Sequence, residues 1–347
     1  MKTDFDDAVH LTEHLDGSKA WRKDGQLHRI GGPALIKPDG TKEWYIDGEL
    51  HRDGGPAIEK PDGSFAWYQN GARHRDGGPA VKEPDQRTEW YNNGALHRID
   101  GPAVVYPDGS YAWYKFGQYH RDDGPAVDNG KGAQQWYSNG KLHRIGGPAW
   151  VNANGQETWF EESHIHRIGA PAQSGGGKPS KWYNRNKLHR IDGPAIEHPD
   201  GGKEWLVNGE HHRLDGPAID HADGYREWLQ NGKRHREDGP VIEYPDGGKE
   251  WLQNGAHHRI DGPAIEHADG GRQWLQNGKR HREDGPAVEA ADGKKEWFYN
   301  GEKMTEARYE QDYAARRRKQ GDVIAAAAHE KPMARIIAPR TAQFRRK

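Results

Sequence analysis

A His-Arg pair recurs twelve times at an unvarying spacing of 23 residues, running from His28-Arg29 through His51-Arg52, His74-Arg75, His97-Arg98 and His235-Arg236 to His281-Arg282. A row of imidazoles and guanidiniums could ligate a metal, track the phosphates of a polyanion, or exchange protons with a substrate. Ligation requires nitrogens that converge within about 2.0 to 2.1 Å of one ion. Histidines of equivalent phase in a β array stand about 10 Å apart and cannot share one. The additional His198, His221 and His267, with His211 and His257, are close enough in sequence to pair locally. Regularly placed arginines could neutralise phosphates, but the same repeats carry Asp39, Asp62, Asp108, Asp200, Asp246 and Asp292 in their turns, and Asp100, Asp192, Asp238 and Asp284 beside the arginines. An arginine stacked on an aromatic ring or paired with a neighbouring Asp is the expectation. Nucleophilic catalysis finds no support, because there is no cysteine and no Gly-x-Ser-x-Gly elbow, and a nucleophile and base would have to recur in every repeat. The ladder is therefore read as structural, each ring packing beside a tryptophan with one nitrogen satisfying a turn carbonyl, and no catalytic, cofactor or metal site is assigned.

The elements that position this ladder follow from a second row. Thirteen of the fourteen tryptophans share the period, among them Trp44, Trp67, Trp90, Trp113, Trp136, Trp205, Trp228, Trp251 and Trp274, each seven residues before the position of a His; Trp150 is out of phase. A Gly-Pro follows each His-Arg pair, replaced once by Ala170-Pro171. A fixed period of this length indicates a linear array in which each repeat buries its apolar face against its neighbours. Asn-Gly or Asp-Gly closely following the Trp, as in Asp47-Gly48, Asn70-Gly71 and Asn231-Gly232, predicts a type I′ hairpin turn with positive φ at both central residues. Pro after Gly opens the next extended segment, since it donates no ladder bond, and Pro-Asp-Gly turns the chain back to the next Trp. The fold class is all-β: consecutive antiparallel hairpins in one sheet or open solenoid, two main strands and a short third segment per repeat, making a rod roughly 110 to 120 Å long.

Composition agrees. Hydrophobic residues make up 32% of the chain and the mean hydropathy is −1.18, too little aliphatic material for a large three-dimensional core; the apolar content is concentrated in Trp and Tyr, 14 of each. The fixed phase of the glycines and prolines argues against disorder over residues 21 to 301. The absence of cysteine fits the cytoplasm or a virion assembled inside a cell. The acidic first 17 residues contain no secretory h-region, and no run of about 18 apolar residues could span a membrane. Residues 302 to 347 carry net charge +6, leaving −8 on residues 1 to 301. A mildly acidic array thus bears a basic tail, in which Arg316, Arg317, Arg318, Lys319, Arg335, Arg340, Arg345, Arg346 and Lys347 are the candidate contacts for a polyanion or a partner.

Six segments are expected. Residues 1 to 20 form an N-terminal cap in which Phe5, Leu11 and Leu15 cover the first repeat, and residues 21 to 158 form an array in which Tyr follows the Trp. Residues 159 to 181 form a degenerate repeat without Asn-Gly, where a bend or loose seam is expected. Residues 182 to 304 form an array in which, after Tyr183, Leu follows the Trp. There alternate repeats match best, the His211-His212 pair returning at His257-His258, a superperiod of 46 residues that puts like side chains about 20 Å apart. Residues 305 to 330 make a helical cap, with Thr305 at its N-cap and Tyr309 and Tyr313 on one face as a lid; residues 307 to 320 form one helix ending near Gly321, and a short second helix lies around Ala325 to Ala328. Residues 331 to 347 are a basic tail, disordered until bound.

The period, the Trp followed by Asn-Gly, and the Asp-Gly before the next aromatic, as in W-Y-Q-N-G-A-R-H-R-D-G-G-P-A-V from Trp67, resemble MORN and MORN-like repeats over residues 21 to 301. The H-R-x-D-G-P-A variant looks like one found in bacterial, bacteriophage and giant-virus proteins. The resemblance implies an extended sheet of hairpins serving as a scaffold and protein-interaction surface, with acidic-lipid binding in some members. From it comes the functional expectation of a non-catalytic structural or protein-interaction scaffold whose partner is a protein or larger assembly. Polyanion binding through the C-terminal tail is the alternative.

Overall fold

The structure, a computed structural model, describes residues 9 to 329. Around Trp67 the chain makes four strands of two residues each: Ile58–Glu59, Phe65–Ala66, Tyr68–Gln69 and Ala72–Arg73. The first two belong to an antiparallel ladder that passes from repeat to repeat, Ala66 pairing with Ile58 on one side and with Val81 on the other. The last two form a separate hairpin closed by Asn70-Gly71, both at positive φ (50° and 73°), the type I′ geometry expected of Asn-Gly. Each repeat therefore contributes to two rows. This corrects the expectation of two main strands and a short third segment in one row, and the reason is the Trp itself. Trp67 donates its N–H to Ala80 in the ladder at 2.7 Å and accepts from the N–H of His74 in the hairpin at 3.2 Å, so its backbone is shared between them.

The hairpins are joined as well, the turn amide of Gly71 reaching back to Leu50 O at 3.0 Å and that of Gly94 to Arg73 O at 2.9 Å. Two compact units, Met1–His212 and Arg213–Lys347, divide the chain. In the first the ladder runs from Lys19–Lys23 to Lys203–Glu204, and in the second from Ile219–Asp220 to Glu302–Met304.

The most completely buried side chains are not the tryptophans. The residue after each Pro, Ala34, Ala57, Ala80, Ala103, Ala126, Ala149, Ala172 and Ala195 in the first unit, is 0% exposed, as are Ala218, Val241, Ala264 and Ala287 in the second. Both backbone groups of this residue are used: Ala195 donates to Glu204 O at 2.8 Å and accepts from Trp182 at 2.9 Å. Each indole of the 23-residue row is only half-buried beside this column, apart from Trp44, which is 9% exposed. In the second unit Leu229 and Leu275, next to their tryptophans, are buried in addition.

The degenerate repeat keeps its hairpin. Phe160–Glu161 pairs with His164–Ile165 across Glu162 and Ser163, both at positive φ without being glycine, and the ladder continues through Gln173–Ser174, although Gln173↔Lys181 is the pairing that carries it to Ser180–Lys181. Backbone bonds thus hold the register where side-chain chemistry has lapsed. At the N-terminus His10–Glu13 pairs with Lys19–Lys23, so the cap is an added strand; Leu15 is fully exposed and Leu11 half-exposed, which overturns their expected role as a cover, and Phe5 lies outside the described residues. At the other end one helix, α1 (Glu306–His329), replaces the two expected. Gly321 lies inside it, since a single glycine costs only about 1 kcal/mol and four alanines follow. Thr305 Oγ1 accepts the N–H of Arg308 at 3.3 Å as its N-cap. The expected lid forms: Tyr309 is buried, its hydroxyl donating to Arg282 O at 2.6 Å and accepting from the N–H of Gly285 at 3.1 Å, with Tyr313 stacked on it. No helix among the described residues is long and apolar enough to cross a membrane.

Replacing Ala80 by Leu is expected to cost about 1 to 3 kcal/mol by overpacking. Trp228→Ala, at a half-buried site, is expected to cost about 3 kcal/mol, the low end for large aromatics. Hydrogen exchange should show each loss confined to the altered repeat and its neighbours; a uniform loss over both compact units would contradict the nearest-neighbour architecture.

Candidate functional site

The His-Arg pair sits where the hairpin hands the chain back to the ladder, and both side chains reach across a boundary. Each arginine lies over the indole of its own repeat, with its Cζ 3.8 Å from the ring centre for Arg52 on Trp44 and for Arg236 on Trp228, 3.9 Å for Arg282 on Trp274, 4.2 Å for Arg75 on Trp67 and 4.3 Å for Arg98 on Trp90. Its outer nitrogen donates to the carbonyl of the Pro four residues on, as from Arg75 to Pro79 at 2.9 Å. In six of the repeats where Asp stands two residues after the arginine it accepts from Nε, at 2.9 Å for Arg98 and Asp100 and 2.8 Å for Arg282 and Asp284. Arg282 also pairs with Glu289 at 3.0 Å. Guanidiniums with a covered face and directed donors clamp the Gly-Pro corner onto the Trp, and little of them is left to follow a phosphate chain.

The clamp also accounts for the glycine of Gly-Pro. A Cβ at Gly78 would stand 2.9 Å from Arg75 Cζ, and one at Gly101 2.5 Å from Arg98 Cζ. Ala170 shows how the guanidinium accommodates this carbon: Arg167 still lies 3.7 Å over Trp159 and reaches Pro171 O at 3.2 Å.

The histidines act between repeats. The turn amide of Asp47 donates to His28 Nδ1, that of Asn70 to His51, Asn93 to His74, Asn139 to His120 and Asn300 to His281, all at 3.1 to 3.2 Å and 19 residues apart. A backbone amide can only donate, so in this bond Nδ1 accepts and the ring proton sits on Nε2; at His28 the Asp47 carboxylate, 2.8 Å from the same Nδ1, favours the opposite tautomer. The partner is thus a turn N–H of the following repeat, not the turn carbonyl expected, because the αL residue that begins a type I′ turn aims its amide outward toward that ring. In the second unit His235 donates its own N–H to Trp228 O at 3.1 Å, in the same phase. Where Asn-Gly becomes Glu162-Ser163 and Arg185-Asn186, Nδ1 of His143 and His166 is buried without a partner. Over residues 159 to 181, where a bend or loose seam is expected, the ladder passes through, and what lapses beside it is this histidine bond.

The Glu before Trp205, Trp228 and Trp251 collects a second polar cluster. Glu204 takes His198 Nε2 and His211 Nε2, both at 2.8 Å; Glu227 takes Arg234 Nε at 2.7 Å; Glu250 takes His257 Nε2 at 2.9 Å and the Tyr244 hydroxyl at 2.8 Å. Alternation of His and Arg seven residues after the Glu is the 46-residue superperiod in physical form. The hydrogen bond from His211 holds the Glu204 carboxyl down to about 2, against burial that works the other way, with His198 adding to it. Among the described residues no three His, Asp or Glu side chains gather as a metal would require.

One phase escaped the sequence reading. The residue after the His-Arg pair is Ile30, Ile99, Ile145, Ile168, Ile191, Leu214 or Ile260 in seven repeats and Asp or Glu in the other five. Those aliphatic side chains are 75 to 90% exposed. The signal was legible as a position that is either aliphatic or acidic with nothing between. In the first unit these loops border grooves between successive repeats. One of about 480 Å³ is lined by Ile99, Asp100, Trp113, Tyr114 and Asp122, and the next, about 470 Å³, by Asp122, Asp123, Trp136, Tyr137 and Ile145. In the basic segment Arg317, Arg318 and Lys319 are exposed on α1, whereas Arg316 packs over Tyr299 at 4.1 Å and serves the lid. Arg335, Arg340, Arg345, Arg346 and Lys347 lie outside the described residues. Compared with models of known protein families and with curated proteins, the chain matches none.

His74→Ala, which strips an acceptor from Asn93, is expected to lower stability by about 1 kcal/mol, and His143→Ala, whose Nδ1 has no partner, by measurably less; equal losses in denaturant unfolding would remove the inter-repeat role of the ring. For Glu204 the folded state favours the ionised carboxylate, so its contribution is present above the ordinary carboxylate value of 4.5 and is lost as pH falls toward about 2. Wild type is therefore expected to melt above Glu204→Gln at pH 6 and to converge with it near pH 2, and a gap that does not depend on pH would show that the ion pairs are not the cause.

Proposed function

We propose that this chain is a non-catalytic, MORN-like interaction scaffold that displays one recurring outward position to a protein partner or assembly. The observation that carries the reading is a division of labour within the repeat. The Trp, Arg, His, Pro and Ala are committed to holding the chain, whereas the residue after Arg bonds to nothing apolar around it and stands almost fully exposed as Ile145, Ile168 and Ile191 in three successive repeats. Burying such side chains belongs to association, since an exposed aliphatic row gives folding nothing. The test is affinity capture with wild type and with a triple Ile145→Ser, Ile168→Ser, Ile191→Ser variant whose melting is unchanged. The proposal expects a discrete set of captured proteins that is lost in the variant; capture identical in both would defeat it.

A second reading has its own observation. Arg317, Arg318 and Lys319 are exposed and consecutive on α1, a basic patch suited to nucleic acid or an acidic membrane surface. It expects binding to duplex DNA or to phosphatidylserine vesicles that falls by an order of magnitude or more between about 50 and 200 mM salt and disappears when the three are changed to Ser. Binding that is insensitive to salt would dispose of it.

A further inference from the structure

Within the second unit, successive hairpins are tied together by three backbone amides. The hairpin closed by Asn277-Gly278 shows all three bonds to its predecessor: Gly278 N–H donates to His257 O at 2.9 Å, Asn277 N–H to His258 Nδ1 at 3.1 Å, and Arg259 N–H to Leu275 O at 3.1 Å. The next hairpin repeats them, with Gly301 on Arg280 O at 2.9 Å, Asn300 on His281 Nδ1 at 3.1 Å and Arg282 on Phe298 O at 3.4 Å. Between the hairpin of Leu229–Gln230 and Lys233–Arg234 and that of Leu252–Gln253 and Ala256–His257, none of the three forms. The ladder beside them stays closed, Ile242 pairing with Glu250 and Trp251 donating to Ala264 O at 2.8 Å. The hairpin row therefore parts where the ladder row holds. His235 becomes the one exposed histidine of the twelve in the ladder, and Leu252 is less buried than Leu229 and Leu275.

The slit so formed has a volume of about 730 Å³, and its lining includes Lys233, Arg234, His235, Leu252, Asn254 and Gly255 but no acid. Arg234 is already bound to Glu227 at 2.7 Å, whereas Lys233 is exposed and has no acidic partner among the described residues. The backbone says what kind of ligand fits. One wall presents the amides of Asn254 and Gly255 and the carbonyl of Leu252; the other presents the amide of Arg236 and the carbonyl of Arg234. Each is a group that the neighbouring repeats consume and this one leaves unbonded. A lone phosphate or carboxylate would satisfy the amides and then face two carbonyl oxygens. An extended peptide backbone offers donors and acceptors in alternation and answers both walls. We infer that an extended acidic peptide inserts between these two hairpins, restoring the backbone bonds that the row lacks and placing carboxylates against Lys233 and His235. The slit uses none of the exposed aliphatic side chains, so its failure leaves the capture experiment on Ile145, Ile168 and Ile191 untouched, and the reverse holds.

The experiment titrates the full chain with a short peptide of alternating Glu and Val, blocked at both ends, and follows amide hydrogen exchange by NMR. At saturation the amides of Arg236, Asn254 and Gly255 are expected to exchange about tenfold more slowly, while those of Asn277 and Gly278, already bonded in the free chain, do not change. The same peptide with N-methylated backbone amides, and a counterpart of alternating Lys and Val, are expected to bind at least about tenfold more weakly, because each loses one of the two complementarities. Lys233→Glu, a change at an exposed side chain, is expected to weaken the acidic peptide by about tenfold with melting unchanged. The N-methylated comparison uses the unaltered protein, so it decides the matter even if that variant fails to fold. No protection of the three amides by the acidic peptide, equal binding of the N-methylated or the Lys-Val peptide, or protection by inorganic phosphate alone that matches the peptide's would each overturn the inference, the last by making the slit a simple anion site.

Discussion

Strands of two residues cannot hold a sheet together through their ladders alone, and every other feature of the repeat answers that constraint. A two-residue strand offers little pairing and almost no facing surface, so each repeat must borrow order from the next. The fully buried Ala after each Pro meets the need at the backbone: its N–H and C=O are both consumed, and its side chain is small enough for the ladder to close over it. The Trp carries the same bond out into the second row, where the Asn-Gly turn donates a further amide to the preceding ring. The periodic glycines, prolines and asparagines thus act as a hydrogen-bonding scheme that lets very short strands add up.

The Arg-Trp clamp is best understood within this scheme. Surface ion pairs are worth little by themselves, and Arg98 with Asp100 on its exposed side would contribute next to nothing if freely mobile. Here the guanidinium is already fixed by stacking on the indole and by the Pro carbonyl, so the added bond costs little further entropy. What the clamp secures is the corner at Gly-Pro, whose proline has no N–H to donate. Ala170 demonstrates that the geometry tolerates a methyl group there, so the glycine eases the stack without being required for it.

Much of this was legible in the chain. The type I′ turns followed from Asn-Gly, the antiparallel hairpin array from the period, and the lid from Tyr309 and Tyr313, because each depends on chemistry local in sequence. The division into two rows was not legible, since it depends on which of two equally short segments pairs with the next repeat, a choice made by the Trp backbone and not by any side-chain pattern. The histidine's partner was misjudged for a related reason: sequence shows that a ring lies near a turn, but whether it meets a carbonyl or an amide depends on the peptide orientation at the αL residue. The second helix failed because Gly321 was given the force of a terminator in a stretch whose following alanines sustain the helix.

The exposed residue after each His-Arg pair follows a different rule from its neighbours. At the Trp, Ala and Gly phases substitution is limited by distances of a few tenths of an ångström, and the chain varies little there. At the outward phase the twelve positions hold Ile, Leu, Asp or Glu; the acids Asp53, Asp76 and Asp122 reach Nε2 of the His two residues before them at 3.1 to 3.3 Å, whereas the aliphatic side chains stand 75 to 90% exposed. Asp or Glu at this phase keeps a surface soluble and discourages edge contacts, whereas Ile at 80 to 90% exposure does the opposite. The acids therefore have a partner inside the repeat, and the aliphatic side chains are the members of this phase left exposed. In the first unit Ile145, Ile168 and Ile191 make the longest aliphatic run, and Ile30 is followed by Asp53 and Asp76. The surface is therefore not uniform along the repeats, and a ligand that reads it can find one register on an array whose framework is the same at every step.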